Sequence, residues 1–367
     1  MLVWRRCSPV PPLMPDLFTP LRLGPLELPN RILHAPLTRC RADAAHVPTP
    51  LMAEYYAQRA SAGLLIAEAT MVAEGHAAFG GREPGIYGQA QIDGWRPVTE
   101  AVHRAGGRIV LQIWHGGRAC HSLLGGRQPV APSPIAIQGD EIHTPEGKKP
   151  YELPRELRDD ELPGIVQAFA TAARHAMAAG FDGVEIHAAN GYLLDQFLRD
   201  GTNRRTGPYG GSIANRARLL LEVIEAVTAE TPLTGVRLSP LNSFNDIADS
   251  DPVGLISWLA EHLDHRSLAY LHLMRGDLLG RQQGDLLTPL RQRFSGVLIA
   301  NMGYGPDEAS QAVASGAVDA VAFGRAFLAN PDLPRRICLG APLQDPDPAS
   351  FYTPGPEGYL DYPELPA

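Results

Sequence analysis

The stretch EIHAANGYLLDQFL, residues 185–198, gathers the sharpest chemistry in this 367-residue chain. His187 and Asn190 are hydrogen-bond donors three residues apart, a spacing that lets both N–H groups converge on one acceptor such as a carbonyl oxygen. Tyr192 follows with a phenolic proton whose ordinary pKa is near 10, suited to protonating a carbanion-like carbon. A lone histidine in an apolar run reads as a satisfied core residue. Three such groups together at the end of one run read as a site.

Two polar residues stand inside other apolar runs. Arg237 in GVRLSP places a charge where desolvation is costly, so it either pairs with a core carboxylate or faces an anionic ligand. Gln112 in RIVLQIW carries an amide that would cost about 1–3 kcal/mol if buried unsatisfied. It either bonds neighbouring backbone or pairs with the donor and acceptor edge of a heterocycle. Gly303, Gly324 and Arg325 form a third group. Glycines there admit backbone N–H groups close to a phosphate, and each opens a helix with a partly positive N-terminus. The glycines alone would serve equally as ordinary helix caps.

What must position these residues is an alternation of strands and helices. Short aliphatic runs predict strands at 31–36, 64–70, 108–114, 183–187, 235–239, 269–274, 297–301 and 320–324. Helical patterns fall between them at 50–61, 89–105, 159–179, 212–229, 252–262, 285–294 and 306–315, and onward from 325. Pro50, Ser212, Asp251 before Pro252, and Gly305 before Pro306 mark helix starts, and glycines 106, 180 and 316 mark ends. Eight continuous apolar strands alternating with helices predict an α/β fold, a single (β/α)8 TIM barrel with a parallel sheet buried on both faces. An open doubly wound sheet is disfavoured by the count and by the lack of GxGxxG in the first half.

Barrel enzymes place chemistry at the C-terminal ends of their strands, and the polar residues cluster there. Thr38 follows the first run, Glu68 to Thr70 end the second, and Gln112 and Trp114 lie in the third. His187, Asn190 and Tyr192 follow the fourth. Arg237 is in the fifth, and Asn301 to Gly303 and Gly324 to Arg325 close the last two. Outside the repeat, residues 16–29 carry a Gly-Pro turn and predict a hairpin at the barrel bottom. Residues 115–157 form an excursion long enough to be a lid or binding loop. Residues 1–15 read as a loose leader without a signal peptide's apolar stretch, with Met1 or Met14 as the start. The barrel domain is expected over 16–367.

A net charge of −8 offers no basic footprint for nucleic acid or anionic lipid. No apolar run reaches the roughly 20 residues that span a bilayer. Cys7, Cys40, Cys120 and Cys338 are scattered, without CxxC or metal-ligand spacing, so no metal is expected and reduced thiols in a cytoplasmic protein are.

The runs NRILHAPLTRCRA, LQIWHGGR, EIHAANGYLLDQFLRDGTNRRTGPYGGSIANRARLLLEV, RLSP, DAVAFGRAFLANPDLP and FYTPGPEGYLDYP resemble signatures of the old yellow enzyme family, in the family's order, from about residue 16 to 362. The stretch at 185–223 is highly specific. The resemblance implies an FMN-dependent ene-reductase that takes hydride from NADPH or NADH through flavin N5 in a ping-pong cycle. Its acceptors would be α,β-unsaturated carbonyl or nitro compounds, with nitroesters and nitroaromatics as the alternative. Pro36, Thr38, Ala69, Gln112, Arg237, Gly303, Gly324 and Arg325 would bind FMN, with Thr38 tuning its redox potential. His187 and Asn190 would hold the substrate oxygen and Tyr192 would give the proton. Trp114, Phe79 and Tyr352 would shape the pocket.

Two departures accompany the likeness. Asn301-Met302 precedes Gly303 where relatives carry smaller residues, and Asn190 stands where many have a second histidine. A monomer or homodimer is expected. A multidomain dienoyl-CoA-reductase type would need a cysteine-rich cluster motif and further domains. A non-catalytic flavin carrier would lack the donor pair or the tyrosine.

Overall fold

In the computed structural model, which describes residues 15–366, eight parallel strands close into a barrel. They are β1 (Ile32–His34), β2 (Leu65–Met71), β3 (Ile109–Trp114), β4 (Gly183–Ala188), β5 (Thr234–Leu238), β6 (Tyr270–Met274), β7 (Leu298–Asn301) and β8 (Ala320–Phe323). Each lies beside its sequence neighbour, and β8 returns to β1 through Val321 opposite Ile32. The expected leader falls almost wholly outside the described residues.

The two-residue period of each strand sorts its side chains into two cores. Leu65, Leu111, Val184, Ile186, Val236 and Leu271 face outward onto helical residues such as Trp95, Phe169, Leu220 and Leu259. Leu33, Ile66, Val110, Tyr270, Ile299 and Ala320 fill the interior. The interior also has its own constraint. A Cβ at Gly235 would collide with the Tyr270 ring from the adjacent strand, so the ring crosses the barrel only because β5 carries glycine there.

The helices begin and end where local chemistry requires. Ser212 and Asp251 accept backbone N–H groups at 3.3 and 2.8 Å to cap Ile213–Thr228 and Pro252–Asp264. Gly106, Gly180 and Gly316 take left-handed φ values of 82°, 87° and 73° at the ends of their helices. The expected hairpin is present as Leu21–Leu23 paired antiparallel with Leu26–Leu28. Its leucines plug the lower interior beside Leu64 and Leu233. The excursion after β3 is ordered into two short helical turns and two small two-stranded sheets.

Candidate active site

The barrel's C-terminal mouth opens into a cavity of about 690 Å³. Pro36, Thr38, Ala69, Phe79, Gln112, His187, Asn190, Tyr192, Arg237, Gly303, Gly324, Arg325 and Tyr352 all line it. Trp114 does not. It is fully buried behind the wall, edge-on to Tyr192 at 5.0 Å and tilted against Phe79 at 6.4 Å, so it shapes the cavity through those two rings.

The strand ladder explains why these residues meet. His187 pairs with Arg237, and Arg237 with His272, so three neighbouring strands set their nitrogen-bearing side chains in one row. One layer lower, Glu185 lies opposite Gln112. A register shift in β2 between Ala67 and Thr70 places Ala69 at the cavity while Glu68 supports the loop after β1, accepting the Arg39 N–H at 3.2 Å.

A polar network the sequence did not reveal forms the floor. Glu185 accepts from Gln112 Nε2 and from His272 Nδ1, both at 2.8 Å. Burial is the largest influence on both members of the Glu185–His272 pair. It holds the imidazole below its ordinary range. In Glu185, the neighbouring His272 and Arg237 and the two hydrogen bonds outweigh burial and hold the carboxyl below its usual range. Arg237 donates one bond from Nη2 to Asn301 Oδ1 at 2.9 Å, and Asn301 in turn donates to the Ala322 carbonyl at 2.9 Å. Asn301, expected as an altered phosphate-loop residue, thus serves as a brace between β5, β7 and β8.

The floor fits a flavin. Arg237 Nε is buried with no hydrogen-bond partner among the described residues. Gln112 has spent one amide hydrogen and keeps its oxygen for the cavity. A cation and a carboxamide side by side suit the anionic N1–C2=O edge and the N3–H of an isoalloxazine. At the cavity's other end, Met302 and Gly303 take φ of 88° and 72°, turning the backbone at the end of β7. Gly324 and Arg325 follow β8, but the helix there spans only Arg325–Ala329. Phosphate binding would therefore rest on backbone N–H groups and the guanidinium more than on a helix dipole.

Above the floor stand the three groups from the end of β4 and the loop that follows it. His187 Nδ1 accepts the Ala189 N–H at 3.3 Å, which leaves the neutral ring's proton on Nε2. Desolvation, with Arg237 and His272 nearby, holds this ring well below its usual pKa, so it stays neutral. Asn190 sits in the left-handed region at φ 58°, its N–H given to Ser239 Oγ at 2.7 Å. Burial, reinforced by the Tyr151 and Tyr352 phenols, pushes the Tyr192 hydroxyl well above 10, so it keeps its proton. His187 and Tyr192 meet edge to face at 5.1 Å.

The mouth is roofed by the C-terminal segment. Arg41 donates to the Phe351 and Ser350 carbonyls at 2.8 and 3.0 Å, and Arg39 to those of Phe351 and Gly358 at 3.1 and 2.8 Å. This holds Tyr352, which stacks on Phe79 at 5.9 Å. Neither arginine was singled out in the sequence.

A parallel barrel with a cation–carboxamide floor and a donor pair beside a phenol defines a class, the barrel oxidoreductases that carry a flavin. The chain belongs to the NADH:flavin oxidoreductase / NADH oxidase family, whose profile matches residues 16–344. A probable flavin mononucleotide-dependent alkene reductase of Leishmania infantum is 48% identical over 352 residues, covering 94% of this chain and 96% of that protein. The old yellow enzyme homologue from Zymomonas mobilis superposes with a TM-score of 0.93 at 46% identity, over 96% of this chain and 100% of that one. Morphinone reductase in complex with tetrahydroNAD does so at 0.91 and 48%, over 96% and 98%. The expected likeness to old yellow enzymes and the expected barrel are both borne out. No helix of the described residues is long and apolar enough to cross a membrane.

Proposed function

We propose that the cavity binds FMN and reduces electron-poor carbon–carbon double bonds of small α,β-unsaturated carbonyl or nitro compounds at the expense of NADPH or NADH. The observation that carries this reading is the convergence of His187, Asn190 and Tyr192 above a floor made by Gln112 and Arg237. When bound, the flavin supplies two-electron chemistry, accepting hydride from the nicotinamide and giving it to the alkene. Gln112 and Arg237 hold its pyrimidine edge, Arg237 balancing the negative charge of the reduced form. Thr38 and Pro36 lie on the cavity wall after β1, and Gly303, Gly324 and Arg325 hold the phosphate end.

His187 and Asn190 direct N–H groups at the substrate oxygen, which gains negative charge as the β-carbon is reduced. Such donors are worth on the order of 10²–10³ in rate each. Tyr192 delivers its proton to the α-carbon. Its high pKa keeps that proton available at any working pH, and the donor pair lowers the basicity it must match. Trp114 fixes the Tyr192 ring from behind, while Phe79 and Tyr352 stack on each other at the pocket's mouth. The bound nicotinamide analogue in the morphinone reductase structure supports a nicotinamide donor.

The test is an anaerobic visible-absorption titration of the purified protein with NADPH, followed by 2-cyclohexenone. A flavin spectrum that bleaches and then returns is expected. A colourless protein that cannot be reconstituted with FMN would overturn the proposal, and bleaching without recovery would overturn the acceptor class.

A further inference from the structure

We infer that Asn242, a residue outside the cavity, sets which end of the Asn190 amide faces the substrate. The inference rests on the reading that His187 and Asn190 hold the substrate oxygen. A carboxamide can offer N–H or C=O to a ligand with almost the same shape, so a donor role for Asn190 needs something that breaks the tie.

The tie is broken by a backbone group two loops away. Leu278, after β6, directs its N–H at Asn242 Oδ1 over 3.1 Å, and the Phe244 N–H points to the same oxygen at 3.5 Å. Backbone N–H groups can only donate, so Asn242 must turn its oxygen to them and its Nδ2 the other way. That Nδ2 lies 2.8 Å from Asn190 Oδ1. Asn190 must then accept, and its own Nδ2 is left for the cavity.

The relay is rigid at each stage. Asn242 is fully buried. Leu278 is held beside Asp277, whose carboxylate accepts from the Ser243 N–H and hydroxyl at 2.9 Å each, tying the β5 and β6 loops together. Asn190 is fixed by its bond to Ser239 and by Asn245 Nδ2, which donates to the Asn190 carbonyl at 2.9 Å. Asn242 touches no reacting atom and is a positioning residue.

The decisive variant is Asn242→Asp. A carboxylate only accepts, so Asn190 would rotate, donate to the new carboxylate and present its oxygen to the substrate oxygen. At pH 8 kcat/KM for 2-cyclohexenone should fall on the order of 10²-fold, at least as far as in Asn190→Ala. Asn242→Ala, which leaves the amide free to turn, should lose several-fold at every pH, and it serves if Asn242→Asp does not fold. Flavin absorbance and melting temperature report folding in each variant.

A folded Asn242→Asp with wild-type kcat/KM at pH 8 would overturn the relay. An unchanged Asn242→Ala would do the same. If Asn190→Ala itself keeps full activity, the fault lies in the substrate-oxygen reading beneath the relay.

Discussion

Gln112 Nε2 lies 2.8 Å from Glu185 Oε1 in the barrel interior, and a carboxylate that only accepts dictates how this amide is turned. Its oxygen and second N–H are thereby set toward the cavity, an orientation that a simple barrel-layer glutamine would lack.

Glu185→Gln should therefore loosen the floor. The replacement amide can rotate its own donor toward Gln112, and the charge partner of Arg237 is lost. Leaving one such group unpaired costs about 1–3 kcal/mol, so FMN affinity should fall about tenfold to a hundredfold. Fluorescence quenching on titrating apoprotein with FMN measures it. Unchanged affinity would show that Gln112 needs no support from Glu185.

Tyr192→Phe keeps the ring against Trp114 and removes only the proton. Turnover of 2-cyclohexenone should slow by roughly 10²–10³ while reduction of the bound flavin by NADPH proceeds at the normal rate. Because burial holds the hydroxyl well above 10, the wild-type rate of the alkene step should be flat up to about pH 9. Stopped-flow absorbance separates the two halves, and equal slowing of both would exclude a proton-donor role.

Glu68 makes the fold's stability fall as pH rises. Burial, opposed by Arg39 and Tyr56, lifts its carboxyl from 4.5 to about 7. Below 4.5 the group is protonated in folded and unfolded chains alike and contributes nothing. Between 4.5 and 7 the folded state binds more protons, so stability is lost progressively, by roughly 3 kcal/mol above pH 7. Glu68→Gln should flatten the melting temperature between pH 5 and 7.5 relative to the wild type. Identical slopes would rule this out.

Arg41→Met removes the donors to the Ser350 and Phe351 carbonyls. It should cost on the order of 2–3 kcal/mol and expose the tail to proteolysis near Tyr352. KM for the alkene should rise with kcat nearly unchanged, since no reacting group moves. A tail as resistant as the wild type's would mean that Arg39 alone suffices.

The barrel was legible because its strands are buried on both faces and so read as unbroken apolar runs. Each predicted strand overlaps an observed one to within two residues at either end. The helix Leu193–Leu198 was not legible: six residues are too short a run for its rhythm to stand out, and its polar residues Asp195 and Gln196 are buried rather than marking a solvent face. Pro36, Ala69, Phe79 and Tyr352 came only from the family resemblance, whereas Gln112, His187 and Arg237 were found because a polar side chain in an apolar strand demands an explanation. Their supports were missed because pairing depends on register. Glu185 and His272 are 87 positions apart and Asn190 and Asn242 are 52, and neither separation leaves a trace in local pattern. Trp114 was expected at the cavity surface, but the Tyr192 and Phe79 rings cover it.

The grip of Arg39 and Arg41 on the C-terminal segment has a temporal meaning. The loop that carries them leaves the ribosome early, whereas Phe351 lies 312 positions beyond Arg39. The roof is thus the last part of the pocket to be made, and closing so long a loop is entropically only modestly dearer than closing a shorter one. A nascent barrel can assemble its strands while its mouth is still uncovered, and gains the Phe79–Tyr352 stack beside the pocket only once residues 350–358 have emerged. Loss of the residues from Ser350 onward would therefore leave the floor in place but remove the roof.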